Sequence, residues 1–314
     1  VQVLVFGGAG FLGSHLVDLL YSTGHEVAIV DDLSRGKLDF IGVQSPVTIY
    51  RGDIRDPDLY ARVLDNVTPE VVIHLAAVHH VPVCERQPLV ALDVNVLGTQ
   101  RVVDFCRDRN VARLVFASSG GVYDESIPGS LREEDLTKAR DIRSASKLAG
   151  EALVCRGAER GWYSSSIARI FNLVGARDTH EHLVTQAIRQ LREGNRRIEV
   201  GNLHPRRDFL HVMDAARAMQ ALCEVPSSLP TEIFNVGSGR EWTVVEVLQQ
   251  LADVAGVEVE IESVASKRRE GDRLSLLAQI SKIRDCCGWQ PLQTLSDALV
   301  EAWNDHHLVE EEAA

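Results

Sequence analysis

The sequence predicts an α/β protein built on a doubly wound parallel sheet, and three observations carry the prediction. Short β-branched runs alternate with longer helical patterns as far as residue 170. The first, fourth and fifth of these runs are almost continuously apolar, as strands covered by helices on both faces must be. A glycine-rich segment, Gly7-Gly8-Ala9-Gly10-Phe11-Leu12-Gly13, stands where the first strand gives way to the first helix.

In chain order, strands are expected at 1–6, 26–30, 47–51, 71–74, 112–117 and 165–170. Helices fit between them at 11–22, 57–66, 88–109 and 144–160. After Asn172 the pattern loosens, with helices expected at 181–193, 212–223, 244–255, 281–286 and 296–305 and a short strand at 232–236. The longest irregular stretches are 126–141 and 202–207, and long loops on a rigid scaffold are where sites tend to lie. The acidic run Glu310-Glu311-Glu312 is expected to fray.

A chain of 314 residues that is 45% hydrophobic has ample core for one large domain or two interlocked ones. A formal net charge of -12 argues against a nucleic-acid surface or an anionic membrane as the main partner. No apolar stretch approaches the length of a transmembrane helix, and 1–6 reads as a strand, with no signal peptide visible. The six cysteines, including adjacent Cys286 and Cys287, have no metal-like spacing, so reduced, buried thiols in a cytoplasmic protein are expected, with no metal site.

The glycine segment satisfies G-x-G-x-x-G in the context that gives the motif meaning. Glycines permit a tight turn and close backbone approach to a pyrophosphate, and the helix N-terminus offers unpaired N–H donors. The second strand ends near Asp31, where a carboxylate can accept hydrogen bonds from an adenosine ribose. That carboxylate repels a 2′-phosphate, so NAD is expected over NADP. Arg35 is the nearby residue that could instead partner a phosphate. Gly52-Asp53-Ile54 after the third strand could set Asp53 against an adenine amino group.

These residues resemble the extended short-chain dehydrogenases that act on nucleotide sugars, a family of epimerases, dehydratases, decarboxylases and 4-keto reductases. The resemblance runs through Val30-Asp31-Asp32-Leu33-Ser34, His74-Leu75-Ala76-Ala77, Asn95 with Gly98-Thr99, Ala117-Ser118-Ser119, Ser146-Lys147-Leu148, Arg169-Ile170-Phe171-Asn172, Arg207-Asp208-Phe209 and Phe234-Asn235-Val236-Gly237. It implies a Rossmann-type NAD-binding domain at 1–170, with 208–237 returning to it. A smaller C-terminal substrate-binding domain would comprise 171–207 and 238–314.

It further implies NAD contacts from Gly7, Gly10, Phe11, Leu12, Gly13, Asp31, Asp32, Ser34, Asp53, Ile54, Leu75, Ala76, Ala77, Asn95 and Lys147. Ser119 would hydrogen-bond the reacting sugar oxygen. Lys147 would hold the nicotinamide ribose. Arg207 and Arg269 would clamp a diphosphate, with Asn172, Val184 and Asp272 at the substrate. Gly201-Asn202-Leu203 ahead of Arg207 resembles the GDP-sugar branch, so GDP is the leading nucleotide, with UDP and dTDP open. The family's common homodimer would pair the helices at 88–109 and 144–160.

One departure bears on the chemistry. The family signature is Tyr-x-x-x-Lys, but Arg143 stands four residues before Lys147, and no tyrosine occurs between Tyr123 and Tyr163. The tyrosine takes or returns the hydroxyl proton as hydride moves, which arginine cannot do because it stays protonated. Candidate substitutes are Asp124, Asp141, His79 and His80, histidine having the best-suited proton affinity. Arg143 itself would contact substrate. The expected function is an NAD-dependent nucleotide-sugar enzyme beginning with hydride transfer at sugar C4. The alternative is a catalytically impaired protein that retains both ligands.

Overall fold

The computed structural model describes residues 1–42, 46–64, 66–226, 229–268 and 273–307. The expected Arg269 and Asp272 contacts and the acidic run 310–312 lie outside these residues.

The chain opens with β1 (Gln2–Phe6), α1 (Phe11–Ser22), β2 (Glu26–Asp31), β3 (Thr48–Arg51), α2 (Pro57–Leu64) and β4 (Val71–His74). It continues through α3 (Val81–Arg86), α4 (Pro88–Leu92), α5 (Thr99–Asp108), β5 (Arg113–Ser119), β6 (Ser130–Leu131), α6 (Ile142–Glu159) and β7 (Ser164–Ile170). Then come β8 (Asn172–Val174), α7 (Leu183–Arg192), β9 (Arg197–Val200), β10 (Arg206–His211), α8 (Val212–Ala221) and β11 (Thr231–Val236). The remainder is β12 (Glu241–Thr243), α9 (Val244–Ala255), β13 (Glu260–Ser263), β14 (Ser275–Ala278), α10 (Ser281–Cys287) and α11 (Leu295–Asn304).

Seven strands form a parallel sheet in the order β11-β7-β5-β4-β1-β2-β3, as the doubly wound expectation requires. The order reverses between β1 and β4, and ligands of open α/β sheets bind beyond the carboxyl ends of strands at such a point. The two faces carry separate cores. Leu16, Leu20, Ala215 and Met219 of α1 and α8 pack on one face. Leu59, Val102, Phe105 and Val154 of α2, α5 and α6 cover the other. Each fully buried side chain of this size contributes about 1.5–3 kcal/mol, so both apolar faces are used.

A second sheet runs β12-β10-β14-β6, with β8 also paired to β10. A separate core of Ile188, Leu248, Leu251 and Leu299 forms where α7, α9 and α11 meet. The long irregular stretch expected at 202–207 gives way at Arg206 to β10, and the one at 126–141 contains β6.

The single helix expected at 88–109 is instead α4, a wide π-helical turn over Asp93–Gly98, and α5. Asn95 explains the interruption. From within the turn its Oδ1 accepts from Val78 N at 2.7 Å, and its Nδ2 donates to Val78 O at 2.8 Å and Ser146 Oγ at 2.9 Å. The wide turn thereby ties the loop after β4 to α6; such turns recur at functional sites.

The expectation of buried cysteines holds for Cys84 and Cys106 but not for Cys286, which is exposed on α10. All six thiols are free. No helix among the described residues is long and apolar enough to cross a membrane, and they contain no cluster arranged to hold a metal ion.

Candidate active site

A cleft of about 1050 Å³ opens along the carboxyl edge of the large sheet. Its first wall is the glycine turn. Gly7 has φ 84°, and a Cβ there would lie 2.7 Å from Ala76 N, so only glycine lets β1 turn this closely past β4. A Cβ on Gly10 would meet nothing nearer than Gly7 O at 3.5 Å. Gly10 precedes α1 without any side-chain cap, so the first N–H groups of α1 face the cleft as an anion cradle. This wall fits the diphosphate of a dinucleotide.

Asp31 is buried at the end of β2, where its Oδ2 accepts from Ala9 N and its Oδ1 from Leu33 N, each at 2.9 Å. Burial raises its pKa, and the two backbone donors work against that shift. Each oxygen keeps a lone pair that a ribose hydroxyl could fill. Asp32 Oδ1 holds Ser34 through its N at 2.9 Å and its Oγ at 2.6 Å. Phe11, Leu12, Gly13, Ile54, Leu75, Ala76 and Ala77 complete the lining of this half. Asp53 also lines it, but its carboxylate is taken by Arg55, whose Nη1 reaches Asp93 at 2.8 Å. Asp53, expected against an adenine amino group, thus lines the cleft as the ion-pair partner of Arg55. Asn95 stands behind the lining and holds Val78.

The opposite end of the cleft is assembled by β5 and α6. Ser119 ends β5, and α6 begins behind a reciprocal cap in which Asp141 Oδ1 accepts from Ser144 N at 2.7 Å. Gly150 lets α6 approach β5, since a Cβ there would lie 2.6 Å from Phe116 Cζ. Buried Glu151 fastens the same helix, accepting from Arg169 Nη2 at 2.8 Å and Nε at 3.1 Å. Arg143 and Lys147, one turn apart, therefore share the cleft with Ser119.

Arg143 Nη1 donates to Ser119 Oγ at 2.9 Å, and Gly121 N donates to the same oxygen at 3.1 Å. Lys147 Nζ donates to Ala117 O at 2.7 Å. Burial, then the neighbouring Arg143 guanidinium, lowers the Lys147 pKa to about 8. Two of the substitutes considered for the missing tyrosine have other duties. Asp141 caps α6, and Asp124 accepts from Ser126 N at 2.8 Å and does not line the cleft. The hydrogen bonds from Ser126 lower the Asp124 pKa, as suits an acceptor fixed in a turn.

His79 and His80 do line the cleft, and the structure gives them company that sequence reasoning missed. His79 and His180 have ring centroids 4.2 Å apart, and His180 stacks on His182 at 5.4 Å. His80 lies 5.8 Å from His182. Asp178 is buried beneath them, with Oδ2 2.8 Å from His182 Nδ1. Burial would raise the Asp178 pKa, but the two neighbouring imidazoles outweigh it and hold the carboxyl well below its usual range. Burial, followed by His180 and His182, lowers His79 well below an ordinary histidine. The alternation Asp178-Thr179-His180-Glu181-His182 was the available signal.

Along the floor toward β10, Asn172 Nδ2 donates to Asp208 O at 2.9 Å, and Val184 of α7 is buried against the cleft. Arg207 Nη1 donates to Arg273 O at 2.7 Å. Arg273, a second guanidinium absent from the sequence reading, also faces the cleft. Its Nη1 donates to Tyr123 O and its Nη2 to Ile127 O, each at 3.3 Å.

Comparison with known proteins agrees with this geometry. Residues 3–237 match the NAD dependent epimerase/dehydratase family. A UDP-glucose 4-epimerase of Halalkalibacterium halodurans is 31% identical over 324 aligned positions, covering 98% of this chain and 96% of that one. A GDP-6-deoxy-D-mannose reductase of Pseudomonas aeruginosa is 30% identical over 307 positions, covering 95% and 94%. The solved UDP-glucose 4-epimerase of Thermus thermophilus, in complex with NAD, superposes with a TM-score of 0.87 at 30% identity, covering 99% of this chain and 100% of that one.

Proposed function

The chain belongs to the NAD dependent epimerase/dehydratase family, and from that premise we propose that it interconverts alcohol and ketone at C4 of a nucleotide sugar. NAD is its cofactor. Gly7, Gly10, Gly13, Asp31 and Lys147 are the residues that would hold it, and when bound it supplies the acceptor or donor of the hydride. Residues 1–170 with 208–237 carry that cofactor, while 171–207 and 238–314 close over the sugar nucleotide.

The observation that supports this reading best is the hydrogen bonding of Ser119. A hydroxyl has one proton and two lone pairs. Arg143 Nη1 and Gly121 N donate into the lone pairs, so the Ser119 proton is directed to a third partner. A sugar C4 oxygen is such a partner, and its charge in the transition state would be stabilised by the serine proton and the nearby cations Arg143 and Lys147. Arg143 is thus a substrate-side residue in place of the family's tyrosine.

Arg207 is the diphosphate clamp within the described residues, with Arg269 as its counterpart. GDP-sugars are the leading substrate class, supported by Gly201-Asn202-Leu203 beside the cleft and by the similarity to a GDP-sugar reductase; UDP- and dTDP-sugars are the alternatives. The test is incubation with GDP-, UDP- and dTDP-sugars, following reduced nicotinamide by absorbance and products by mass. Conversion of at least one sugar is expected, and inertness toward the whole panel rejects the function.

The homodimer is proposed through α4 to α6. Leu89 of α4 is 80% exposed and Leu97 of the following π-helical turn 59% exposed, and burying such side chains against a second copy is favourable.

A further inference from the structure

We propose that Asp178 and His182 form the acid/base pair of the cleft, with His182 Nε2 taking the proton from the sugar hydroxyl. This deepens the redox reading above and rests on it. Four imidazoles and one buried carboxylate meet where the loop after β4 faces the segment joining β8 to α7, and all five side chains line the cleft that holds Ser119 and Lys147.

The hydrogen bonding fixes the roles within the pair. An ionised carboxylate only accepts, so His182 Nδ1, 2.8 Å from Asp178 Oδ2, carries the ring proton. Nε2 is left as a lone pair, the form a general base requires, with the carboxylate holding the tautomer and stabilising the imidazolium that forms. Asp178 is itself fixed, since Oδ1 accepts from His180 N at 3.0 Å.

The ring is enclosed by side chains from several elements. His79 and His80 face it from the β4 side and His180 from its own segment. Glu181 and Arg189 of α7 pair with each other at 2.7 Å. His182 also immediately precedes α7 and makes no side-chain cap to it.

The step balances. In the oxidation direction the hydroxyl O–H bond breaks and its proton moves to His182 Nε2. The oxygen electron pair forms the C=O bond, and the C4–H pair leaves as hydride to NAD. The carbon is oxidised by two electrons and NAD is reduced by two; the reverse step returns the proton from His182.

The experiment has two arms on the full chain. Nitrogen-15 NMR of the cofactor-free protein, with the His182 signal identified by its loss in His182→Gln, should show the ring proton on Nδ1, and this preference should weaken in Asp178→Asn. A proton on Nε2 overturns the pair without any appeal to turnover. The second arm follows single-turnover reduction of bound NAD by the nucleotide sugar that the panel identifies. The rate should fall about 10²- to 10⁴-fold in His182→Gln with nucleotide-sugar affinity retained. A His182→Gln rate within about tenfold of wild type rejects the pair alone. A wild type inert toward every sugar rejects the redox function as well.

Discussion

Arg143 Nη1 lies 2.9 Å from Ser119 Oγ, so the residue one turn before Lys147 is bonded to the hydroxyl that ends β5. A guanidinium cannot exchange the proton that a phenol would, yet it can hold the serine oxygen and present its hydrogen outward. It also stands beside Lys147 and helps to lower that ammonium pKa.

Arg143→Tyr therefore separates two histories of the site. In a specialised enzyme the change removes the guanidinium, one of two donors to Ser119, and turnover should fall while NAD still binds; this is the expected outcome. In a catalytically impaired protein it would restore an acid/base group beside Ser119 and Lys147, and nicotinamide reduction would appear where wild type has none. Removal of the guanidinium should also let the Lys147 pKa rise from about 8, keeping the lysine charged to higher pH in a direct titration.

Asp31 is expected to set cofactor choice. The protein is expected to bind NAD(H) at least about tenfold more tightly than NADP(H), because a 2′-phosphate would be placed against a buried carboxylate. Asp31→Ala should reduce the preference more than it reduces NAD affinity. Titration with both cofactors checks this, and equal affinity in wild type refutes it.

Arg207→Ala and Arg269→Ala should each weaken nucleotide-sugar binding roughly ten- to a hundredfold, since a hydrogen bond to a charged group is worth about 1.5–3 kcal/mol. NAD affinity should stay nearly intact. Calorimetry with a nucleotide diphosphate alone isolates the clamp, and unchanged affinity in both variants removes it.

Sedimentation at micromolar protein should give the mass of two chains. Leu97→Lys, which places a charge on the exposed surface of the π-helical turn, should shift it to one chain with little loss of fold stability. A single-chain mass in wild type rejects the dimer.

The sequence by itself determined the large sheet and the cofactor end. Strands such as Val71–His74 are buried on both faces and read as continuous apolar runs, and the glycine turn and Asp31 act through local backbone geometry that neighbouring residues specify. Tertiary structure decided what depends on distant partners. Strands β8, β10 and β14 are short and pair with partners far along the chain, so their pattern carries little signal alone. Asn95 interrupts an otherwise helical stretch because of Val78 and Ser146. Asp53 is claimed by Arg55, and Asp141 by the cap of α6. His79 and His182 stand about a hundred positions apart in the chain and become neighbours only because β4 and β8 deliver their following loops to the same cleft. A titratable side chain acquires its role from the charges and donors that fold around it, and those contacts are long-range.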